Sequence, residues 1–526
     1  MSSPSEVVVQ QLVAAGSRAI FGVPGGGGNL DLIDAAGSAG LPFVLTATET
    51  GGALAAIAQA EITQRPAVCL TTLGPGATSV VNGVACAFLD RAPLIVFTDA
   101  QAAHKGGGFE HQRIDQRALF TPITRWSGRL DAQHADDIVK RALRTALGPP
   151  PGPVHLDWDM GNEALTGPGS EAASAADVAA RKWGADVVTR ARRPLAIVGL
   201  GARRSDDAAA IRAFVERRGL PAMVTYKAKG VLPDHHASFA GVFTHAEIER
   251  PLIEQSDLIL AIGLDPVELL PRPWTYAQPV VYLGRWPVAD SHVPFAGQRV
   301  AEIAESLDAI DEALPTTDWD LALVRKQLLT AQQALEIPTA GMSAQHVVRT
   351  AAARLARHAR VTVDAGAHML PATMLWPVCE PNQLLISNGL STMGFALPAA
   401  IGAALVDRQQ PVVALTGDGG LLMCTAELLT AVRERLQIIT IVFADASLSL
   451  IEIKQQRRRL RAAGVGIGTV RWPAIAEGFG AAGFVAENER ELERALDSAT
   501  QVDGPSVIEA RIDRSNYGRM LQAIRG

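Results

Sequence analysis

The chain has 526 residues, 48% of them apolar and 19% charged, and a net charge of -6 at neutral pH. This length exceeds one hydrophobic core and predicts two to four domains, with three of about 175 residues fitting the pattern. The acidic balance excludes a broad basic footprint for nucleic acid, the apolar content excludes disorder, and no apolar run is long enough to predict a membrane span.

The first third alternates helical and strand patterns. A helix is expected from about Ser5 to Ala15, then the strand "AIFGVPG", a helix near Leu30 to Ala36 and the strand "FVLTAT". "AVCLTT" follows, then a Gly-Pro-Gly turn opening a helix of small residues, and "PLIVFTD". Repeated strand, turn and helix units predict a parallel sheet covered on both faces. This unit closes near Gly152 to Trp158, and the Gly/Ser/Ala-rich stretch from Gly167 to Ala180 reads as a linker. A second α/β unit opens at "RPLAIVGLGA" and runs through "LPAMVTY", "LILAIGLD" and "PVVYLG". Its Gly-Leu-Gly lacks the full spacing and the ribose acid of a dinucleotide fingerprint. A helical and linker region from about Ala301 to Ala340 leads to a third α/β unit, with "RVTVDAG" and "PVVALTG" as strands. The expected architecture is α/β, in three domains (1–165, 185–325 and 340–526), each with a central, mainly parallel sheet flanked by helices.

The stretch "VVALTGDGGLLM" sets Asp418 among Gly417, Gly419 and Gly420, between a strand and a helical pattern about four turns long. Ligands bind in the crevice at the carboxyl ends of parallel strands, and glycines there admit a phosphate to the main-chain N–H groups. The next strand, "IITIVF", ends in "ADASLSL", with Asp445 at its tip. A right-handed crossover would bring both acids to one sheet edge, where two carboxylates could hold magnesium against a diphosphate. The alternative is structural: Asp418 caps the helix and Asp445 makes an Asx turn.

With Asp445 lying 27 positions after Asp418, "GDGG" resembles the thiamine diphosphate motif. The resemblance covers nearly the whole chain, in the domain order pyrimidine-binding, middle, diphosphate-binding. It is the arrangement of acetolactate synthases, pyruvate decarboxylases, benzoylformate decarboxylases and benzaldehyde lyases. N-terminal support comes from "FGVPGGGGNLDLIDA", "TATETGGALAAIAQA" and "TTLGPGATSVVNGVACAFLDRAPLIVFTD". The resemblance implies that Glu49 contacts the cofactor's pyrimidine, where a carboxylate on a ring nitrogen favours the imino tautomer that removes the thiazolium proton. It also implies that Met393 in "SNGLSTMGFALPAAIGAAL" wedges between the two cofactor rings and that the Ser391 carbonyl accepts from the aminopyrimidine. Ala367 and His368, in "DAGAH", would meet the diphosphate. Gly419, Gly420 and Leu448 would complete the cofactor site, and the main-chain carbonyl of Ser447 would join Asp418 and Asp445 on the metal.

Several positions depart from the family pattern. The usual Asn pair is Ala444-Asp445, Thr48 stands where a His often precedes the glutamate, and Ile451 and Gly26 replace acids typical of pyruvate decarboxylases. "EHQRIDQ", Glu110 to Gln116, instead resembles a loop of acetolactate synthases, making His111 and Gln112 candidates for substrate contact or proton relay. "LSLIEIK" should line the substrate pocket, with Lys454 meeting a carboxylate or facing water. The expected function is therefore decarboxylation of a 2-oxo acid, with ligation of the resulting fragment to a second carbonyl, an aldehyde or a second 2-oxo acid. Plain 2-oxo acid decarboxylation, 2-hydroxy ketone cleavage and a cofactor-binding homologue without turnover are the alternatives. Thiamine diphosphate and Mg2+ are the implied cofactors, whereas "GLGARRS" does not support FAD. The family arrangement implies a homodimer or homotetramer with active sites between subunits, and no nucleic acid or membrane partner. The four cysteines lie far apart without metal-ligand spacing and the N-terminus lacks a leader pattern, so a cytoplasmic location is expected.

Overall fold

The computed structural model describes residues 3–100, 111–158, 170–171, 184–289 and 292–526. Three sheets follow one another along the chain. In the first, Phe43–Leu45, Ile20–Gly22, Ala67–Thr71, Leu94–Asp99, Val154–Trp158 and Trp126–Leu130 run parallel, in that spatial order. Ser170–Glu171 adds an antiparallel edge, inside the stretch expected as linker, most of which lies outside the described residues. The second sheet orders Phe239–Val242, Ala222–Val224, Pro194–Val198, Leu258–Ile262, Val280–Gly284 and Phe295–Val300, all parallel. The third orders Leu384–Ile386, Arg360–Val363, Val412–Gly417, Ile438–Ala444, Ser506–Arg511 and Ala482–Ala486, again all parallel. The expected three-domain α/β class is the observed one. Central strands such as Leu258–Ile262 are buried at every residue, which is why they read as unbroken apolar runs rather than alternating ones.

The first and third domains share a core. Helices Glu49–Thr63 and Ala396–Val406 are rich in alanine and glycine and pack together so closely that a Cβ on Gly402 would collide with the Ala55 carbonyl. The middle domain is tied to both by buried charge. Lys227, 2% exposed, reaches Glu61, Asp90 at 3.3 Å and the Ile386 carbonyl at 2.9 Å, while Arg203 lies 3.3 Å from Glu61. Burial opposes the Glu61 charge, but Lys227 and Arg203 outweigh it and hold the carboxyl below its usual range.

One element departs from expectation. The helix after Gly420 is not continuous: Asp418–Cys424 ends, and Glu427–Arg433 begins after a turn at Thr425 and Ala426. The Thr425 hydroxyl bonds back to the Leu421 carbonyl, and the next turn tightens through Leu428 N–H to the Thr425 carbonyl at 3.0 Å. Glu427, the first residue after that turn, faces the first domain at Ala47 and Thr48.

Candidate functional site

In the third sheet, Gly417 pairs with Phe443 across parallel strands, so Asp418 and Asp445 emerge side by side at the carboxyl edge. They border a cavity of about 340 Å3. Asp418 opens its helix, and one carboxylate oxygen accepts from Gly419 N–H at 3.0 Å. The other crosses to the neighbouring strand tip, accepting from Ala446 N–H at 2.7 Å and Asp445 N–H at 3.2 Å. Asp445 accepts from Ser447 N–H at 3.0 Å, which is the Asx turn, and from the Ser449 hydroxyl. The structural alternative is thus realised in part, yet it leaves an electrostatic problem. Burial raises both acids, Asp445 to about 6, and the nearby charge of Asp418 adds to the Asp445 shift. Two adjacent buried carboxylates are relieved either by protonation of one of them or by a cation placed between them.

The rest of the cavity wall suits an anion carrying that cation. Ala367 and His368 lie on the turn after strand Arg360–Val363. The His368 ring stacks on Phe443 with centroids 5.1 Å apart, and burial pushes it down to about 3, so it is neutral. Its Nε2 is buried without a hydrogen-bond partner among the described residues, which leaves it free to bond a ligand or water. Ser391 and Met393 form another side, with Ser447 and Leu448 opposite Gly419 and Gly420. A Cβ on Gly419 would fall 2.6 Å from Leu448 Cδ2, and one on Gly420 2.6 Å from Asp364 Oδ2. The glycines therefore keep open a cradle that any side chain would fill.

Not every expected residue meets there. Glu49 is the first residue of helix Glu49–Thr63, half-buried in the first domain, and does not line this cavity in its own chain. Its Oε1 lies 3.2 Å from the position a Cβ on Gly76 would take, and Gln112 packs on the same turn at Gly74. Glu49 and Gln112 thus flank one glycine turn. Gln112 also borders a separate cavity of about 150 Å3, whereas His111 is exposed on the preceding loop. Glu110 lies outside the described residues.

Two supporting acids escaped the sequence reading. Asp364 is fully buried and raised to about 6 by that burial. It accepts from Gly394 N–H at 3.0 Å, Thr416 Oγ1 at 3.0 Å and Ala365 N–H at 2.8 Å, joining three segments of the cavity wall. Glu427 accepts from Ala47 N–H at 3.1 Å, Thr48 N–H at 3.0 Å and the Thr48 hydroxyl at 3.1 Å, fixing the approach to Glu49. A strand-end acid before Ala-Gly was the available signal for Asp364. Nothing local pointed to Glu427.

Among the described residues no helix is long and apolar enough to cross a membrane, and no cluster of three or more His, Cys, Asp or Glu side chains could hold a metal without further ligands. The family described as thiamine pyrophosphate enzyme, N-terminal TPP binding domain, matches residues 3–119. Its central domain matches 182–285, and its C-terminal TPP binding domain matches 364–510. The chain is 30% identical to a catabolic acetolactate synthase of Raoultella terrigena, over 97% of this chain and 95% of that one. It is 29% identical to an acetolactate synthase of Bacillus subtilis (strain 168), over 97% and 93%. A probable 2-ketoarginine decarboxylase of Pseudomonas aeruginosa is 27% identical, over 96% and 93%.

Proposed function

Because the chain belongs to the thiamine pyrophosphate enzymes over nearly its whole length, we propose that it uses thiamine diphosphate and Mg2+ to decarboxylate a 2-oxo acid and join the remaining fragment to a second carbonyl. The coarser part of this statement, an enzyme of acetolactate-synthase type, has the support of full-length relatives carrying that name. The finer part rests on one observation: two buried acids on adjacent strand tips, facing a glycine cradle and an unpartnered His368 nitrogen. When bound, thiamine diphosphate would supply the electron sink for the pair that stays behind as carbon dioxide leaves, so that the remaining fragment can add to a second carbonyl.

This chain's residues would do the rest. Asp418 and Asp445, with the Ser447 carbonyl, would hold Mg2+ on the diphosphate, and Ala367, His368, Gly419 and Gly420 would receive its oxygens. Ser391 and Met393 would orient the ring end, with Leu448 packed beside them. Glu49 would bond a pyrimidine nitrogen and so control the proton at the ring amine. His111 and Gln112 would approach the substrate. Since Glu49 does not line the cavity of its own chain, the reading places Glu49 of one subunit against the cavity of another, in a homodimer or homotetramer.

The test is to load cofactor-free protein with thiamine diphosphate and Mg2+, supply 2-oxo acids and aldehydes, and follow products by NMR. Steady formation of a 2-hydroxy ketone is expected. Aldehyde as the sole product would instead establish plain decarboxylation, the activity named for the 2-ketoarginine relative.

A further inference from the structure

The cavity that receives Asp418 and Asp445 has a second, oppositely charged part that the cofactor reading does not use. Lys454, on helix Ser449–Arg457, and Arg525, on helix Tyr517–Arg525, both line it, and the two helices pack together. Lys454 lies five residues beyond Ser449, whose hydroxyl holds Asp445, and so about 7.5 Å further along the helix axis. Between them the cavity is lined by apolar Leu450 and Ile451.

Among the described residues no carboxylate lies within 4.0 Å of either cation. The acids nearby are already engaged. Glu452 takes Arg514 at 2.6 Å and the Ser447 hydroxyl at 2.8 Å, and Glu247 takes Arg250 and Arg272, each at 2.7 Å. The cation acting on Asp445 is Arg514. The backbone at Arg525 is nevertheless held firmly. Its carbonyl accepts from Arg272 at 2.7 Å, and the Ile524 carbonyl accepts from Glu247 and Ile248 N–H at 3.1 Å.

An anchored arginine and a lysine without acid partners, set in a pocket with an apolar stem, describe a carboxylate subsite. The carboxylate that leaves as carbon dioxide is a poor fit. Its charge moves away with the electron pair of the breaking bond, so a cation clamped on it would stabilise the starting acid more than the transition state. We propose that Arg525 and Lys454 bind a carboxylate that the product retains. This rests on the thiamine diphosphate reading and narrows its substrates. Two sources share the chemistry: the distal carboxylate of a dicarboxylic 2-oxo acid donor, or the carboxylate of a 2-oxo acid acceptor.

Reconstituted wild-type enzyme, R525Q, K454Q and R525K separate them. One arm pairs 2-oxoglutarate as donor with an aldehyde, and a second pairs a branched 2-oxo acid donor with 2-oxobutanoate as acceptor. The reference pairs the branched donor with the aldehyde, and its product keeps no carboxylate. In the arm that uses the subsite, R525Q is expected to lower kcat/KM relative to the reference by about tenfold or more, K454Q by less, and R525K to fall between R525Q and wild type, since it keeps the charge without the paired donors. Thiamine diphosphate affinity, measured by calorimetry, should be unchanged. Ratios unmoved in both arms, or lost cofactor affinity with unmoved ratios, overturn the subsite. Wild-type enzyme that accepts only the reference pair overturns it and leaves the function standing; failure to convert any 2-oxo acid overturns both.

Discussion

Asp364 shows how one carboxyl can organise a cavity without lining it. Its three hydrogen bonds join the turn after Val363, the loop at Gly394 and the strand ending at Gly417. Burial nevertheless raises it to about 6, so the folded state prefers it protonated. A carboxyl raised by folding stabilises the fold fully below its unfolded value near 4, and the contribution is lost as pH rises through about 6. The cofactor-free protein should therefore lose stability across that window, by at most roughly 3 kcal/mol from this residue. Asp364→Asn should flatten the slope in urea titrations at several pH values. Asp445, raised to about 6, and Glu268, raised to about 7, titrate in the same direction and should leave part of the slope in place. At Glu49, replacement by Gln should lower turnover by about a hundredfold or more with the fold retained by circular dichroism. Asp445→Ala should raise the Mg2+ and thiamine diphosphate requirement about tenfold or more, read from activity against cofactor concentration; unchanged affinity would leave Asp445 as an Asx-turn residue.

The interrupted helix after Gly420 carries the main lesson at the scale of elements. Thr425 and Ala426 keep right-handed helical angles, but the N–H groups of Leu428 and Leu429 bond three residues back instead of four, so the helix tightens just before Glu427. Glu427 follows that turn and meets Ala47 and Thr48, and Gly51 leaves room for it, since a Cβ at that position would strike the Glu427 carboxylate. Glu427→Ala should strand two N–H donors and cost about 1–3 kcal/mol, measured by denaturant unfolding, with a parallel fall in activity that Glu427→Gln partly restores. The strands were legible because buried parallel strands are apolar throughout, and the acids at their tips were legible because glycine and aspartate interrupt those runs abruptly. Glu427 was not, because its partner lies 379 positions away and no local pattern records a contact of that separation. The helix break was missed for a related reason: Thr425 fits a helical pattern, and it is the bond from Leu428 N–H to its carbonyl that shows the turn tightening.

At the scale of the molecule, the separation of Glu49 from the Asp418 cavity predicts how two defective subunits should behave together. A Glu49→Gln chain and an Asp418→Asn chain should each be nearly inactive alone. If sites form between subunits, each mixed dimer contains one site with both residues intact, so unfolding and refolding the two chains together should restore activity. No recovery, with mixed dimers demonstrated by differential tags, would place the site within one chain. Lys227 sets a different constraint. Its ammonium is shared by Glu61 and Asp90 of the first domain and by the Ile386 carbonyl of the third, while its own backbone belongs to the middle domain. A chimera that replaces the middle domain with one lacking this lysine would bury two acids deprived of their main counter-charge, a loss typically of several kcal/mol. A replacement middle domain must therefore bring its own buried cation to the place Lys227 occupies, facing Glu61 and Asp90, if the first domain is to keep its fold.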